Sequence, residues 1–122
     1  MSSTHRISLK TQWKIEQAGE ANELNSHPIR TFRAFHRPTG LDSKQVVRFC
    51  FLTDCPDVRL LINDIQCPVR IIKGLATAII TGMMESINHL EIRWRVEHFE
   101  ALSLSENFAA WLDISDETLV DP

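Results

Sequence analysis

The most constraining feature of this chain is a strict alternation of apolar and polar residues with a period of two. In residues 90–97, Leu90, Ile92, Trp94 and Val96 alternate with Glu91, Arg93, Arg95 and Glu97. Successive side chains of a strand point to opposite faces, so this pattern predicts a strand with one buried face and one charged, solvated face. Residues 7–16 repeat it: Ile7, Leu9, Thr11, Trp13 and Ile15 fall on one side of a single predicted strand. In residues 108–114, Phe108, Ala110, Leu112 and Ile114 share a face. A strand with one apolar face needs a second layer to cover it, which points to sheet packed on sheet.

Further runs fit the same scheme. Residues 45–52 put Val47, Phe49 and Phe51 on one face, and residues 57–63 do the same with Val58, Leu60 and Ile62. Thr53-Asp54-Cys55-Pro56 between them carries turn residues, so the two runs are expected to form a hairpin. Asn63-Asp64 offers a second tight turn, because Asn and Asp tolerate left-handed backbone angles. Residues 66–72 are expected to pair back across it as an edge strand, since Pro68 has no amide to donate. Residues 16–28 and 37–40 read as loops. Residues 75–87 support two readings. Leu75, Ala76, Ile79, Ile80, Met83, Met84 and Ile87 recur as the apolar stripe of an amphipathic helix. The competing reading is a strand over 75–80 followed by a helical turn.

The totals fit one domain of 122 residues, with a core over about 7–115 and an acidic tail, 116–122, that frays. With 43% hydrophobic and 24% charged residues the composition is that of a globular protein. A net charge of −3, with basic residues scattered among acidic ones, argues against a nucleic-acid partner. The longest apolar stretch, 75–84, falls short of the ~20 residues of a membrane span, so no membrane partner is expected. The first ten residues have no apolar core of a secretory leader, and the expected location is the cytoplasm.

Candidate chemistry is sparse. Cys50, Cys55 and Cys67 are odd in number and irregularly spaced, which argues against a disulfide framework. They lack the paired spacing of a zinc site, so small buried hydrophobes are expected and no metal or cofactor is assigned. His5, His27, His36, His89 and His98 form no catalytic or metal-binding motif. Asp113, Asp116, Glu117 and Asp121 cluster at the acidic end, where little burial would raise a carboxyl for acid catalysis. The four glycines are too far apart for a phosphate loop. No catalytic residue is assigned, and the chain is not expected to be an enzyme. Trp13 and Trp94 lie on apolar strand faces and are expected in the core. Trp111 falls on the face opposite Leu112 and Ile114, which makes it the one candidate for ligand stacking. The charged face of 90–97 reads as a charge-paired sheet surface, with an anionic or polyhydroxy ligand as the alternative.

Several passages carry a resemblance. Arg30-Thr31-Phe32-Arg33-Ala34-Phe35-His36-Arg37-Pro38-Thr39-Gly40 presents an aromatic- and Arg-bearing strand that leads into a Pro turn. Val58-x-Leu60-x-Ile62-Asn63-Asp64 stands where a V-x-L-x-I-N-G strand would, and residues 46–63 as a whole resemble a central hairpin. Ile80-Thr81, followed by Ile87-Asn88-His89-Leu90-Glu91-Ile92, resembles a "D-I-T…N-x-L-x-I" passage. Together with 108–114 as a closing strand, residues 29–114 resemble the galactose-binding-domain-like jelly roll. This is the β-sandwich module on the N-terminal side of β-galactosidase-like and β-glucuronidase-like glycoside hydrolases. The resemblance implies an all-β, antiparallel jelly-roll sandwich of about eight strands, with residues 75–80 extended; the bottom-up alternative is an α+β fold with a helix at 75–87. It further implies a non-catalytic module that binds carbohydrate or braces a neighbouring domain. The alternative is a protein-interaction or structural subunit with no small-molecule ligand. Ligand sites in the family lie on variable loops or one sheet face, so no binding residue transfers by position.

The alternation places Leu60 and Ile92 in the core. Leu60→Ala or Ile92→Ala should each lower unfolding free energy by about 2–5 kcal/mol. Unchanged urea midpoints would refute that placement.

Overall fold

A computed structural model describes residues 5–17, 27, 29–53, 57–95 and 109–116. Ten strands run through them: β1 (His5–Ser8), β2 (Lys14–Gln17), β3 (Ile29–His36), β4 (Gln45–Leu52), β5 (Arg59–Ile62), β6 (Ile65–Cys67), β7 (Arg70–Ile72), β8 (Leu75–Ile79), β9 (Ile87–Trp94) and β10 (Ala110–Asp116). They form two five-stranded sheets. Sheet I has the order β1-β10-β4-β8-β7, and sheet II the order β2-β3-β9-β5-β6. Every pairing is antiparallel. The architecture is the expected all-β sandwich of jelly-roll type, with ten strands where about eight were expected.

The core lies between the sheets and is built by the alternating residues. Val47, Phe49, Phe51, Leu60, Ile62, Leu90, Ile92, Trp94, Leu112 and Ile114 are buried, while Ile7, Trp13 and Val58 pack on the core at its margin. Leu60 and Ile92 are direct cross-strand partners with no exposed surface. Burying a side chain of that size contributes about 1.5–3 kcal/mol. Leu9, Ile29, Phe35, Cys67, Ala76, Ala78, Ile80 and Ala110 complete the cluster. Phe108 and Val96 lie outside the described residues, as do residues 117–122 of the tail and most of the 16–28 loop.

Three expectations need correction, and of the two readings of residues 75–87 the strand followed by a helical turn is the one observed. The run 7–16 is two strands in different sheets: β1 pairs with β10 and β2 with β3. The chain turns at Gln12, whose φ is +69°, so the alternation buries Leu9 but leaves Ile15 36% exposed. β4 and β5 are not a hairpin, because they sit in opposite sheets. Each has one apolar face, and the two faces pack toward each other across the core. Residues 66–72 divide at Pro68 into β6, on the edge of sheet II, and β7, on the edge of sheet I. Finally, residues 75–87 are not a helix. β8 pairs with β4 through Ala76 and Ala78, which fit beneath Phe51 and Phe49 on the inner face. Only Thr81–Met83 makes a 3-10 turn. Tertiary pairing overrides the helical stripe because the β4 backbone and the opposing core need a strand there.

Turn chemistry agrees with backbone angle. Asn63 and Asp64 both have positive φ, 52° and 68°, and close the β5–β6 hairpin as expected. Lys73 and Gly74, at 51° and 80°, do the same between β7 and β8.

A polar knot fastens the β5–β6 turn to the segment before β9. Asn88 is fully buried. Its Nδ2 donates to the Glu85 carbonyl at 2.9 Å, and its Oδ1 accepts from the Glu85 amide at 2.7 Å and from Asn63 Nδ2 at 3.1 Å. Asn63 Nδ2 also donates to the Met83 carbonyl, and Asn63 Oδ1 accepts from the His89 amide. Asn88→Ala leaves the Glu85 amide and one Asn63 Nδ2 hydrogen, both in part-buried hydrogen bonds, without their acceptor and opens a gap where a fully buried side chain stood, which costs about 1–3 kcal/mol. Urea unfolding should show that loss, and a near-neutral midpoint would show that water replaces the side chain.

Candidate functional site

Four surfaces come out of this fold, and their chemistries differ. The outer face of sheet I is organised in transverse rows by strand register. One row runs Ser8–Trp111–Cys50–Thr77–Arg70, a second Arg6–Asp113–Arg48–Ile79, and a third Leu52–Leu75–Ile72. Trp111 is thus on the outer face, as its position opposite Leu112 predicts. It is only half-exposed, and the Arg6 guanidinium lies 4.5 Å from its ring centroid. Arg6 Nε is anchored to Asp113 Oδ1 at 3.2 Å. The indole Nε1 is buried without an acceptor among the described residues. One ring face is therefore occupied by a cation, which reduces Trp111 as an open stacking platform.

Cys50 sits beside Trp111, 2% exposed, with its Sγ 3.8 Å from Asp113 Oδ2. Burial first, then the Asp113 carboxylate, push its thiol up to about 11. A thiol held protonated is a poor nucleophile. Cys67 is also buried, free and shifted upward by burial; Cys55 lies outside the described residues.

The other half of the same face opens as a groove of about 810 Å³ between β8, β7 and the adjoining part of β4. Val69, Ile72, Leu75 and Ile79 give it an aliphatic floor, and Arg48, Arg70 and Lys73 supply only positive charge. Ile72 and Ile79 are 50% and 53% exposed. Arg48 Nη1 donates to Ser115 Oγ at 3.3 Å. None of the three cations meets a carboxylate among the described residues.

A second groove, about 690 Å³, lies where the chain passes from β1 to β2. Gln12, Trp13, Lys14, Phe32, Arg33 and His89 line it. Positive φ at Gln12 turns the chain so that Trp13 lands at the core margin, and the Trp13 indole N–H donates to the Leu9 carbonyl. Arg33 ties the passage to β3. Its Nε donates to the Thr11 carbonyl at 2.6 Å and its Nη1 to the Ala34 carbonyl at 3.0 Å, and burial lowers its pKa. The result is two aromatic rings beside side chains that both donate and accept hydrogen bonds.

The outer face of sheet II is charge-paired, as the alternation suggests. Glu91 sits between Arg30, at 3.4 Å, and Arg93. Arg95 pairs with Asp57 instead, which also meets His27 Nε2 at 3.2 Å. The Arg95 contact, and then that of His27, hold the Asp57 carboxyl below its ordinary value. Glu97 and His98 lie outside the described residues.

Of the remaining sequence candidates, Asp113 is ion-paired with Arg6, Asp116 ends β10, and Glu117 and Asp121 lie outside the described residues. His5, His36 and His89 are exposed on separate strands. Among the described residues no three His, Cys, Asp or Glu side chains come together to hold a metal ion, and no helix is long and apolar enough to cross a membrane. Sequence reasoning missed the Trp13 groove because it reads Trp13 as interior to one strand. Only the break at Gln12 brings Trp13, Phe32 and His89 together, and nothing in residues 7–16 signals that break.

No protein-family model matches the sequence, and no curated protein matches it closely enough to count as a relative. A solved structure does share the fold: the crystal structure of FMN-binding beta-glucuronidase from Facaelibacterium prausnitzii L2-6. It superposes with a TM-score of 0.63 at 16% identity, over 92% of this chain and 22% of that one. This chain is therefore similar to a β-sandwich portion of a much longer glycoside hydrolase chain.

The surroundings of Cys50 predict that thiol reagents below its ordinary pKa of 9.0 will modify it only as fast as the protein opens. Peptide mass mapping after a timed pulse checks this. Modification of Cys50 at the rate of an unfolded peptide would contradict the burial.

Proposed function

We propose that this chain is a non-catalytic binding module whose ligand is carbohydrate, held in the groove around Trp13 and Phe32. The observation that carries this reading is the composition of that groove. Sugars present flat C–H faces, which stack on aromatic rings, and hydroxyls that need both donors and acceptors. Trp13 and Phe32 offer the rings, the latter with the Arg30 guanidinium 5.9 Å from its centroid, Gln12 and His89 offer both hydrogen-bonding senses, and Lys14 and Arg33 add donors. The shared fold with a portion of a beta-glucuronidase supports a sugar-related role at the level of architecture alone. A non-catalytic role is supported by the buried, protonated Cys50 thiol and by the ion pair that Asp113 makes with Arg6. A second reading, a protein-interaction or bracing subunit, is favoured by the exposed aliphatic row on sheet I.

The test is an amide NMR titration of the labelled protein with simple sugars and short oligosaccharides. Saturable shifts should be confined to residues 11–14, 32–34 and 89–90. Phe32→Ala should weaken the response by up to about tenfold, since an aromatic stack is worth about 0.5–1.5 kcal/mol beyond its buried area. No shifts at millimolar sugar, or shifts elsewhere on the surface, would sink the reading.

A further inference from the structure

The groove on sheet I has a different chemistry from the Trp13 groove, and the difference names a different occupant. Its floor is aliphatic: Val69, Leu75, Ile72 and Ile79, continued by Leu52, which is 52% exposed. It presents no aromatic face to a sugar ring. Its charged groups, Arg48, Arg70 and Lys73, only donate hydrogen bonds, and the Thr77 hydroxyl is its one side-chain acceptor. A polyhydroxy ligand would find almost no side-chain acceptor for its donors there. An acceptor-only group such as a carboxylate would not.

The three cations also meet no carboxylate among the described residues, and Arg48 donates only to Ser115 Oγ. On sheet II, Glu91 holds Arg30 and Arg93, and Asp57 holds Arg95; across sheet I, Asp113 holds Arg6. In a chain with a net charge of −3, the sheet I groove nevertheless gathers three cations and no anion. Register explains the arrangement. Arg70 and Ile72 are successive outward residues of β7, and Leu75, Thr77 and Ile79 of β8, so polar and aliphatic side chains alternate along one face of the groove. An extended peptide that carries acidic and aliphatic residues in turn at every second position presents the same spacing on one of its faces.

We propose that the outer face of sheet I docks an acidic peptide segment of a partner protein. Its carboxylates meet Arg48, Arg70 and Lys73, and its aliphatic side chains cover Ile72, Leu75 and Ile79. This rests on the second reading above and specifies its partner. Sulfated or phosphorylated ligands share the anionic chemistry but bring little aliphatic surface to cover the isoleucines, so the peptide is favoured.

The experiment uses the full chain with labelled Ile, Leu and Val methyl groups. The probes are a short synthetic peptide in which Glu and Leu take turns at every second residue with Ser between them, the same peptide with Lys for Glu, and a sulfated oligosaccharide. The Glu peptide should give saturable shifts at the Ile72, Leu75 and Ile79 methyls, and higher salt should weaken them. The Lys peptide should give none. Arg70→Glu combined with Lys73→Glu should weaken binding about tenfold or more. Ile79→Ser, a fully separate change at an exposed site, should also weaken it. Urea midpoints close to the parent will show that both variants fold. Equal response to the Lys peptide would overturn the acidic specificity and leave the interaction reading standing. No response to any peptide would overturn both, and saturation by the sulfated oligosaccharide without the Glu peptide would replace the peptide with a glycan.

Discussion

The two sheets are held in register by a run of aromatic rings that crosses between them. Phe49 and Phe51, alternate residues of β4, stand 5.4 Å apart on the inner face of sheet I. Phe51 meets the edge of Trp94 from sheet II at 5.7 Å, and Phe49 meets Trp13 at 6.1 Å. Trp94 is itself fixed, because its indole N–H donates to Thr31 Oγ1 at 2.9 Å inside the core. Such pairs contribute about 0.5–1.5 kcal/mol each beyond the area they bury. Their larger effect is on geometry. The small residues Ala76 and Ala78 face this run from β8, so the large rings and the small side chains set the local spacing together. Replacing either alanine by a bulkier residue would crowd the same rings.

How much of this was legible in the sequence depends on what fixed each residue. Strands β3, β4, β9 and β10, where one face is buried, could be read or recognised from residue pattern, because burial imposes the period of two directly. The Asn63-Asp64 turn was legible because only a few residue types accept positive φ. Sheet assignment was not. The alternation of 45–52 and 57–63 is the same whether the strands pair side by side or face each other across a core. Nor was the break at Gln12, since Thr11 and Trp13 continue the pattern on either side. The helical stripe of 75–87 misleads for a related reason: Leu75, Ile79 and Ile87 are exposed or half-exposed on strands. Apolar residues on an outer sheet face break the alternation and resemble a helix.

The candidate sites follow the same division. Trp111 was found from its parity against Leu112, and it does lie on the outer face. Its partner Arg6, more than a hundred positions away in sequence, could not be read in advance. Both grooves depend on strands brought together from distant parts of the chain. Their contrasting chemistry, aromatic with two-way hydrogen bonding in one and aliphatic with cations in the other, becomes visible only once β1–β2 meets β3 and β7–β8 meets β4. Leu75 and Ile79, two of the outward residues that obscured β8 in the sequence, also floor the groove on sheet I.

The strands at the rims of the sandwich are short. β1 and β2 have four residues each, and β6 and β7 have three, while β3, β4 and β9 have eight. On each side the chain runs from the rim of one sheet to the rim of the other, through Gln12 or past Pro68. Among the described residues no rim therefore offers a long row of unpaired amides and carbonyls on which a foreign strand could template itself. Runaway fibrous stacking of folded copies is disfavoured by the same brevity. Whatever associates with this protein must read its side chains, which change with sequence, rather than its backbone, which does not.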